Sequence, residues 1–346
     1  MTEKKKITIN RRRFLQSTAT TAGVLAIAPI HAACASAGAK EEVSRSKIGG
    51  VEIGAITYSF RTMPTDAGSV LLYTLEAGLG TLEMMGEVAE NYAGRPAAPQ
   101  FGPQIRPAEG QQLTPEQESR REAQMEARRK YNEEVLAWRL SVPMSKYEQL
   151  AEAYKMAGVN IHIIKLQPDL DMTDAELDYI FNTCKAVGAM GVSCELDLEV
   201  ARRVAPFAAK HGKYLILHNH DQFADENFRL EPFFEYENVR LNFDMAIYYG
   251  STGRDPREIV EKYHERIVSI HIKDYTGPKS TPPRTNRIWG QGETPLKEFL
   301  LYIQSYAGKP GWPVHCDIEL SYIIPEGSDA VAEVTRCLEF VKGVLV

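Results

Sequence analysis

The feature that most constrains this chain is an ordered series of polar strand ends in its second half: His218-Asn219-His220-Asp221, Asn242-Phe243-Asp244, His271-Ile272-Lys273-Asp274 and Asp317-Ile318-Glu319. Each closes an apolar run rich in strand-forming residues, and helix-like segments separate the runs. A chain that alternates strand and helix in this way builds a parallel sheet with helices on its faces. Imidazoles and carboxylates at the end of strand after strand point further, to a closed α/β barrel with a divalent-metal site at its mouth.

Eight strands are predicted, at residues 51–60, 81–83, 160–166, 191–196, 214–218, 239–243, 267–272 and 314–320, with a last helix over 330–341. The expected fold is a (β/α)8 TIM barrel spanning residues 48–346. A doubly wound open sheet is the alternative, but the first strand is not followed by a Gly-rich phosphate fingerprint. An insertion at about 90–140 interrupts the pattern. Its first part is rich in Pro, Gly and Gln, and its second is a charged stretch with helical spacing. It follows a strand end, so it is either a solvated decoration or a lid or wall of the site.

With 346 residues, 44% of them hydrophobic, one large core is affordable. The net charge of −6, without a long basic block in the body, asks for no nucleic-acid partner. No internal apolar stretch reaches the roughly 20 residues needed to span a bilayer. The N-terminus carries Lys4-Lys5-Lys6, then Arg11-Arg12-Arg13-Phe14-Leu15, then a weakly apolar run ending in small residues. That order makes residues 1–37 an export signal, and its Arg-Arg-x-Phe-Leu core resembles the twin-arginine signature. A periplasmic or otherwise exported protein is expected, with no transmembrane segment once the signal is removed. Cys34 follows two alanines, but His31 stands where a lipoprotein signal has Leu, so lipid anchoring is disfavoured. Cys184, Cys194, Cys316 and Cys337 form no Cys-x-x-Cys pair and read as buried free thiols.

Alternate side chains of a barrel strand point inward, and the last inward ones face the site. His218 and His220 have that spacing, as do His271 and Lys273, and Asp317 and Glu319. One group from each of four strands (His218, Asp244, His271 and Glu319) gives a mixed nitrogen and oxygen set that suits one Mn²⁺, Zn²⁺, Co²⁺ or Fe²⁺ ion. Ionisable residues at four strand ends would carry a heavy desolvation cost without a shared partner. The isolated strand residue His162 reads as a hydrogen-bonded core residue, and His315, lower in its strand, as barrel core.

The chain resembles the sugar phosphate isomerase/epimerase family of xylose isomerase-like barrels. The resemblance is carried by Thr57-Tyr58-Ser59-Phe60-Arg61, Leu217-His218-Asn219-His220-Asp221, His271-Ile272-Lys273-Asp274, Gly290-Gln291-Gly292-Glu293 and Ile318-Glu319, and it covers residues from about 50 to the C-terminus, the insertion excepted. It implies one divalent metal held by a strand-five Glu, a strand-six Asp, a strand-seven His and a strand-eight Glu. Asp244, His271 and Glu319 match. At strand five this sequence departs, with His218 where many relatives have Glu, and Ile247 stands where a His usually follows the strand-six Asp. The metal position at strand five therefore falls to His218, to His220, or to Glu195 reaching in from strand four.

A metal holding two adjacent oxygens of a hydroxy-ketone polarises the carbonyl and stabilises an enediolate. His220 or Glu195 is the expected base, with Lys273 as proton donor or hydroxyl anchor. Glu83 is expected to bind sugar hydroxyls, and Tyr58 and Trp289 to stack on the ring. The leading expectation is a metal-dependent keto-sugar isomerase or epimerase that takes a small free sugar or oxidised glycoside and can form a homo-oligomer. Elimination or hydration on 3-keto-glycosides uses the same site. An abasic-DNA endonuclease of this superfamily would need more His ligands than this chain offers, and a non-catalytic sugar-binding protein would need neither metal nor base.

Overall fold

The computed structural model describes residues 45–103, 105–107, 112–309 and 315–345. The expected export signal and Cys34 lie outside them. Eight strands follow in order: β1 (Val51–Ile56), β2 (Thr81–Met85), β3 (Asn160–Lys165), β4 (Gly191–Glu195), β5 (Tyr214–His218), β6 (Val239–Asp244), β7 (Ile267–Ile272) and β8 (His315–Ile318). Each pairs in parallel with the next, and β8 pairs with both β7 and β1, which closes the barrel. The ring of helices comprises α1 (Ala67–Glu76), α2 (Gly86–Ala93), α3 (Pro115–Arg139), α4 (Ser145–Met156), α5 (Asp174–Ala186), α6 (Leu198–Lys210), α7 (Met245–Thr252), α8 (Arg257–Tyr263), α9 (Leu296–Gln304) and α10 (Ala330–Val344).

Local sequence sets these boundaries. Asp66, Asp197 and Asp329 cap α1, α6 and α10 by accepting from backbone amides of the first turn, and Thr173 and Glu176 form a reciprocal capping box at α5. On β5, Leu215 and Leu217 face the helical layer, while Ile216 and His218 face the lumen. Ile163, Ile216 and Val268 pack together from β3, β5 and β7, alternate strands that do not touch, so this cluster is a layer inside the barrel.

A polar layer shares the lumen. His162 on β3 bonds Asp317 on β8 at 2.9 Å and Thr81 at 2.8 Å, and Ser269 donates to Asp317 at 2.6 Å. The His315 ring stacks on His162 at 4.0 Å. Both histidines therefore lie in the barrel core, as their positions in the strands predict. Gly54 on β1 leaves room for Asp317, since a Cβ there would meet Asp317 Oδ1 at 2.2 Å. Two bulges shape the lumen: β3 carries His162 as an extra residue against β2, and β7 carries Val268 as an extra residue against β6.

One expectation about the elements is corrected. The first strand stops at Ile56, and Thr57–Phe60 form a 3-10 turn. Side chains hold that turn: Thr57 Oγ1 accepts from Met85 N, and Ser59 Oγ donates to Ile318 O and accepts from Leu320 N. The C-terminal end of the charged helix of the insertion, α3, packs on the helical layer, where Arg139 pairs with Glu90 of α2 at 2.9 Å and Trp138 meets Tyr179 of α5. The four cysteines named above are buried and free, and burial raises each thiol well above its usual range.

Candidate active site

The strand ends converge. Ligand atoms of His218, Asp244, His271 and Glu319 all lie within 4.8 Å of one another. Three of the four (Asp244, His271 and Glu319) have one polar atom occupied by a neighbour and another turned to the common point, and His218 has neither ring nitrogen in a hydrogen bond. Asp244 Oδ1 accepts from Ala246 N and Ile247 N at the start of α7, leaving Oδ2. Glu319 Oε1 accepts from Ser321 Oγ at 3.1 Å, leaving Oε2. His271 Nε2 lies 2.7 Å from Glu83 Oε2, leaving Nδ1, which is 2.9 Å from Glu319 Oε2. His218 Nδ1 faces Glu195 Oε2 at 3.6 Å, and its Nε2 faces Asp244 Oδ2, also at 3.6 Å.

These are buried groups. His218 is 3% exposed, and Asp244 and His271 are fully buried. Both ring nitrogens of His218, His271 Nδ1 and Asp244 Oδ2 have no well-formed hydrogen bond. Buried polar atoms without such partners are costly, and three of these (His218 Nε2, His271 Nδ1 and Asp244 Oδ2) face one point, which fits a bound cation. Two imidazole nitrogens and two carboxylate oxygens suit Mn²⁺, Zn²⁺, Co²⁺ or Fe²⁺, so the residues present fit one divalent ion.

Lys273 lies among the same oxygens, with Nζ 2.6 Å from Asp244 Oδ2 and 2.9 Å from Glu319 Oε2. An entering cation must share these oxygens with the ammonium or displace it. Burial disfavours charge on every member, but mutual attraction prevails. Asp244 is held below the usual carboxylate range by Lys273 and His218, and Glu319 well below it by Lys273 and His271. Lys273 is raised by the same two carboxylates, so it stays charged at neutral pH. An ammonium so placed is positioned to anchor a hydroxyl. Burial also opposes a charged His271, yet Glu83 and Glu319 outweigh it and push its pKa up to about 10.

A second cluster lies on the outer side of His218. His220 Nε2 is 2.6 Å from Glu195 Oε2, and Lys165 Nζ is 2.9 Å from Glu195 Oε1. His220 is 51% and Glu195 37% exposed on their side chains, so this pair lines the mouth above the buried centre. Burial works against ionisation of Glu195, but His218, His220 and Lys165 hold it far below the usual range.

The other expected residues divide. Tyr58 is 44% exposed, with the Arg61 guanidinium 4.4 Å from its ring centre. Glu83 is fully buried below the centre and engaged by His271 and Asn242, so the expectation that it binds sugar hydroxyls is corrected. Trp289 is 8% exposed and packs edge-on against Phe340 of α10, so it does not offer the sugar-stacking face expected of it. Its loop is organised by Asp274, whose carboxylate accepts from Gly290 N and Gly292 N at 2.8 and 2.9 Å.

Sequence reasoning missed Lys165, Asn219 and Asn242. Asn219 clasps the Asp244 backbone through its N–H and C=O, and Asn242 donates to Glu83 at 2.7 Å. Asn242 precedes Asp244 by two residues, so inward alternation could have found it. Lys165 was hidden by the bulge in β3, which changes the parity of the strand after His162.

No family model matches the sequence, and no curated protein matches it. Solved structures do. A xylose isomerase domain protein from Alicyclobacillus acidocaldarius matches with TM-score 0.54 at 16% identity, over 85% of this chain and 99% of its own. A 3-keto-D-glucoside 4-epimerase from E. coli matches with TM-score 0.52 at 13% identity, over 85% and 99%. A probable 3-DHS dehydratase from Bacillus anthracis matches with TM-score 0.52 at 14% identity, over 84% and 98%. At such identities the likeness establishes the architecture, and the chain has the xylose isomerase-like TIM-barrel fold.

Proposed function

We propose that this chain is an exported, divalent-metal-dependent isomerase or epimerase that acts on a keto-sugar or oxidised glycoside. The observation that carries the reading is the set of four groups, three of them buried, whose ligand atoms gather at one point beneath an exposed carboxylate–imidazole pair. When bound there, a divalent cation supplies Lewis-acid polarisation of a carbonyl and neutralises the charge of an enediolate. His218, Asp244, His271 and Glu319 would hold it.

The rest falls to the chain's own side chains. Glu195 stays ionised and is a weak base, so it serves as the partner of His220. His220 accepts the proton next to the carbonyl at Nδ1, the nitrogen Glu195 does not engage, and the adjacent carboxylate stabilises the resulting imidazolium. Delivery of a solvent-derived proton to the opposite face of the same carbon would epimerise, and return from His220 to the neighbouring carbon isomerises. Lys273 donates a hydrogen bond to a substrate hydroxyl, and Tyr58 offers a partly open ring for the sugar.

The twin-arginine-like N-terminus favours substrates found outside the cytoplasm, which are free sugars and oxidised glycosides rather than sugar phosphates. The epimerase among the structural neighbours is named for a 3-keto-glucoside, in line with that class. Loss of a β-substituent from the same enediolate would make the chain a lyase, and the dehydratase neighbour favours keeping that second reading. The test is solvent exchange in D₂O with a panel of keto-sugars and 3-keto-glycosides, followed by product analysis. Deuterium entry next to the carbonyl supports the enediolate reading, and the product separates epimer, isomer and alkene. No exchange with any member by the metal-loaded protein would contradict it.

A further inference from the structure

Glu83 has no part in the chemistry above, yet it is a fully buried carboxylate in the barrel lumen. It reaches from β2 across to β7, a strand that does not neighbour its own, and its Oε2 lies 2.7 Å from His271 Nε2. Asn242, on β6, donates to the same oxygen at 2.7 Å and fixes it from the side. His271 thus has a carboxylate on each edge of its ring: Glu83 at Nε2 and Glu319 at Nδ1.

A neutral imidazole carries one proton, and the position of that proton decides which nitrogen offers a lone pair. A lone pair at Nε2 would point at Glu83 Oε2, 2.7 Å away, with only the Asn242 amide, 3.0 Å from Nε2 and already bonded to that oxygen, beside it, whereas a lone pair at Nδ1 would be taken up by the cation that Glu319 shares. The proton therefore belongs on Nε2, and the lone pair on Nδ1, the nitrogen that faces Glu319 Oε2 at 2.9 Å. Metal-bound histidines commonly owe their orientation to a carboxylate on the far nitrogen.

We propose that Glu83 is a positioning residue that locks His271 as the Nε2–H tautomer and aims Nδ1 at the cation. This rests on the metal-centre reading above and adds the ligating atom and what fixes it. Asn242 steadies Glu83 in turn, so the support crosses the barrel from β2 through β6 to β7.

The experiment compares wild type, Glu83→Gln and Glu83→Ala, each loaded with Zn²⁺. Competition with a chromophoric chelator gives the affinity, and long-range ¹⁵N–¹H spectra of ¹⁵N-histidine-labelled protein report the protonated nitrogen of His271. Wild type is expected to show Nε2 protonated and Nδ1 coordinated. Glu83→Ala is expected to lose about 10- to 100-fold in affinity and the single-tautomer signature. Glu83→Gln, whose amide oxygen still accepts from Nε2–H, is expected to restore the tautomer and part of the affinity, a rescue that general loosening of the fold would not produce. If Glu83→Ala does not fold, Asn242→Ala is expected to shift affinity the same way by less. Coordination through Nε2 in wild type, or equal Zn²⁺ affinity in all the proteins, overturns the assignment of Glu83 alone. A wild-type protein that takes up no Zn²⁺ overturns the metal centre as well.

Discussion

A helix on the outer wall and the barrel mouth both bury carboxylates among cations, and they end differently. On the outer wall, Glu90 of α2 is 1% exposed. Its Oε1 accepts from Arg139 Nε at 2.9 Å and Tyr179 Oη at 3.1 Å, and its Oε2 accepts from Arg95 at 3.0 Å. Both oxygens are satisfied, and the cluster ties the insertion helix α3 to α2 and α5. At the barrel mouth, Asp244, His218 and His271 are about as deeply set and Glu319 is partly so, but each keeps an atom turned to a shared point. Burial and charge are common to both clusters, so neither marks a site by itself. The difference lies in the atoms left over.

That contrast can be broken or sharpened experimentally. The largest expected effect is on metal binding: Asp244→Ala and His271→Ala each abolish stoichiometric metal uptake and deuterium exchange, while Glu90→Ala leaves uptake intact, as measured by metal analysis of purified protein. Next is pH. His271 titrates at about 10 in the metal-free fold against an unfolded value of about 6.5, so its charged form stabilises the metal-free protein. Because the folded value is the higher one, that stabilisation is complete below about pH 6.5 and fades as pH rises toward 10. Metal must displace this proton, so affinity is expected to rise about tenfold per pH unit across the same window, with proton release seen by calorimetry in two buffers.

Glu90→Ala is expected to act on stability instead, lowering it by up to about 3 kcal/mol in denaturant titrations. The cost stays at or below that figure because Arg95 and Arg139 keep 20% and 17% of their side chains in solvent and can rehydrate. His162→Ala removes one bond to Asp317 while Ser269 retains another, so a loss of about 1–3 kcal/mol with unchanged metal content is expected. The smallest change is for Tyr58→Ala, where loss of an aromatic contact worth about 0.5–1.5 kcal/mol should raise KM about two- to tenfold at unchanged kcat.

Much of this arrangement is legible in the chain. The apolar runs and their polar ends locate all eight strands, and period-two alternation names His218, Asp244, His271 and Glu319 as companions. Illegible parts have identifiable physical causes. A bulge is an extra residue that sequence does not flag, so the parity of β3 hides Lys165. Depth within the lumen depends on the stagger of neighbouring strands, so Glu83 reads as a mouth residue although it lies beneath His271. Thr57–Phe60 carries strand-forming residues, yet hydrogen bonds to Met85, Ile318 and Leu320, distant in sequence, turn it into a 3-10 helix. Trp289 has a partner, Phe340, supplied by the last helix, and no local pattern announces that contact.

The central claim is that His218, Asp244, His271 and Glu319 hold one cation between them. Calorimetric titration of the chelator-treated full chain with Mn²⁺ and with Zn²⁺ tests it most directly. The account predicts one equivalent bound per chain, lost in Asp244→Ala and Glu319→Ala and kept in Glu90→Ala. No stoichiometric uptake by wild type, or undiminished uptake by Asp244→Ala, would contradict it.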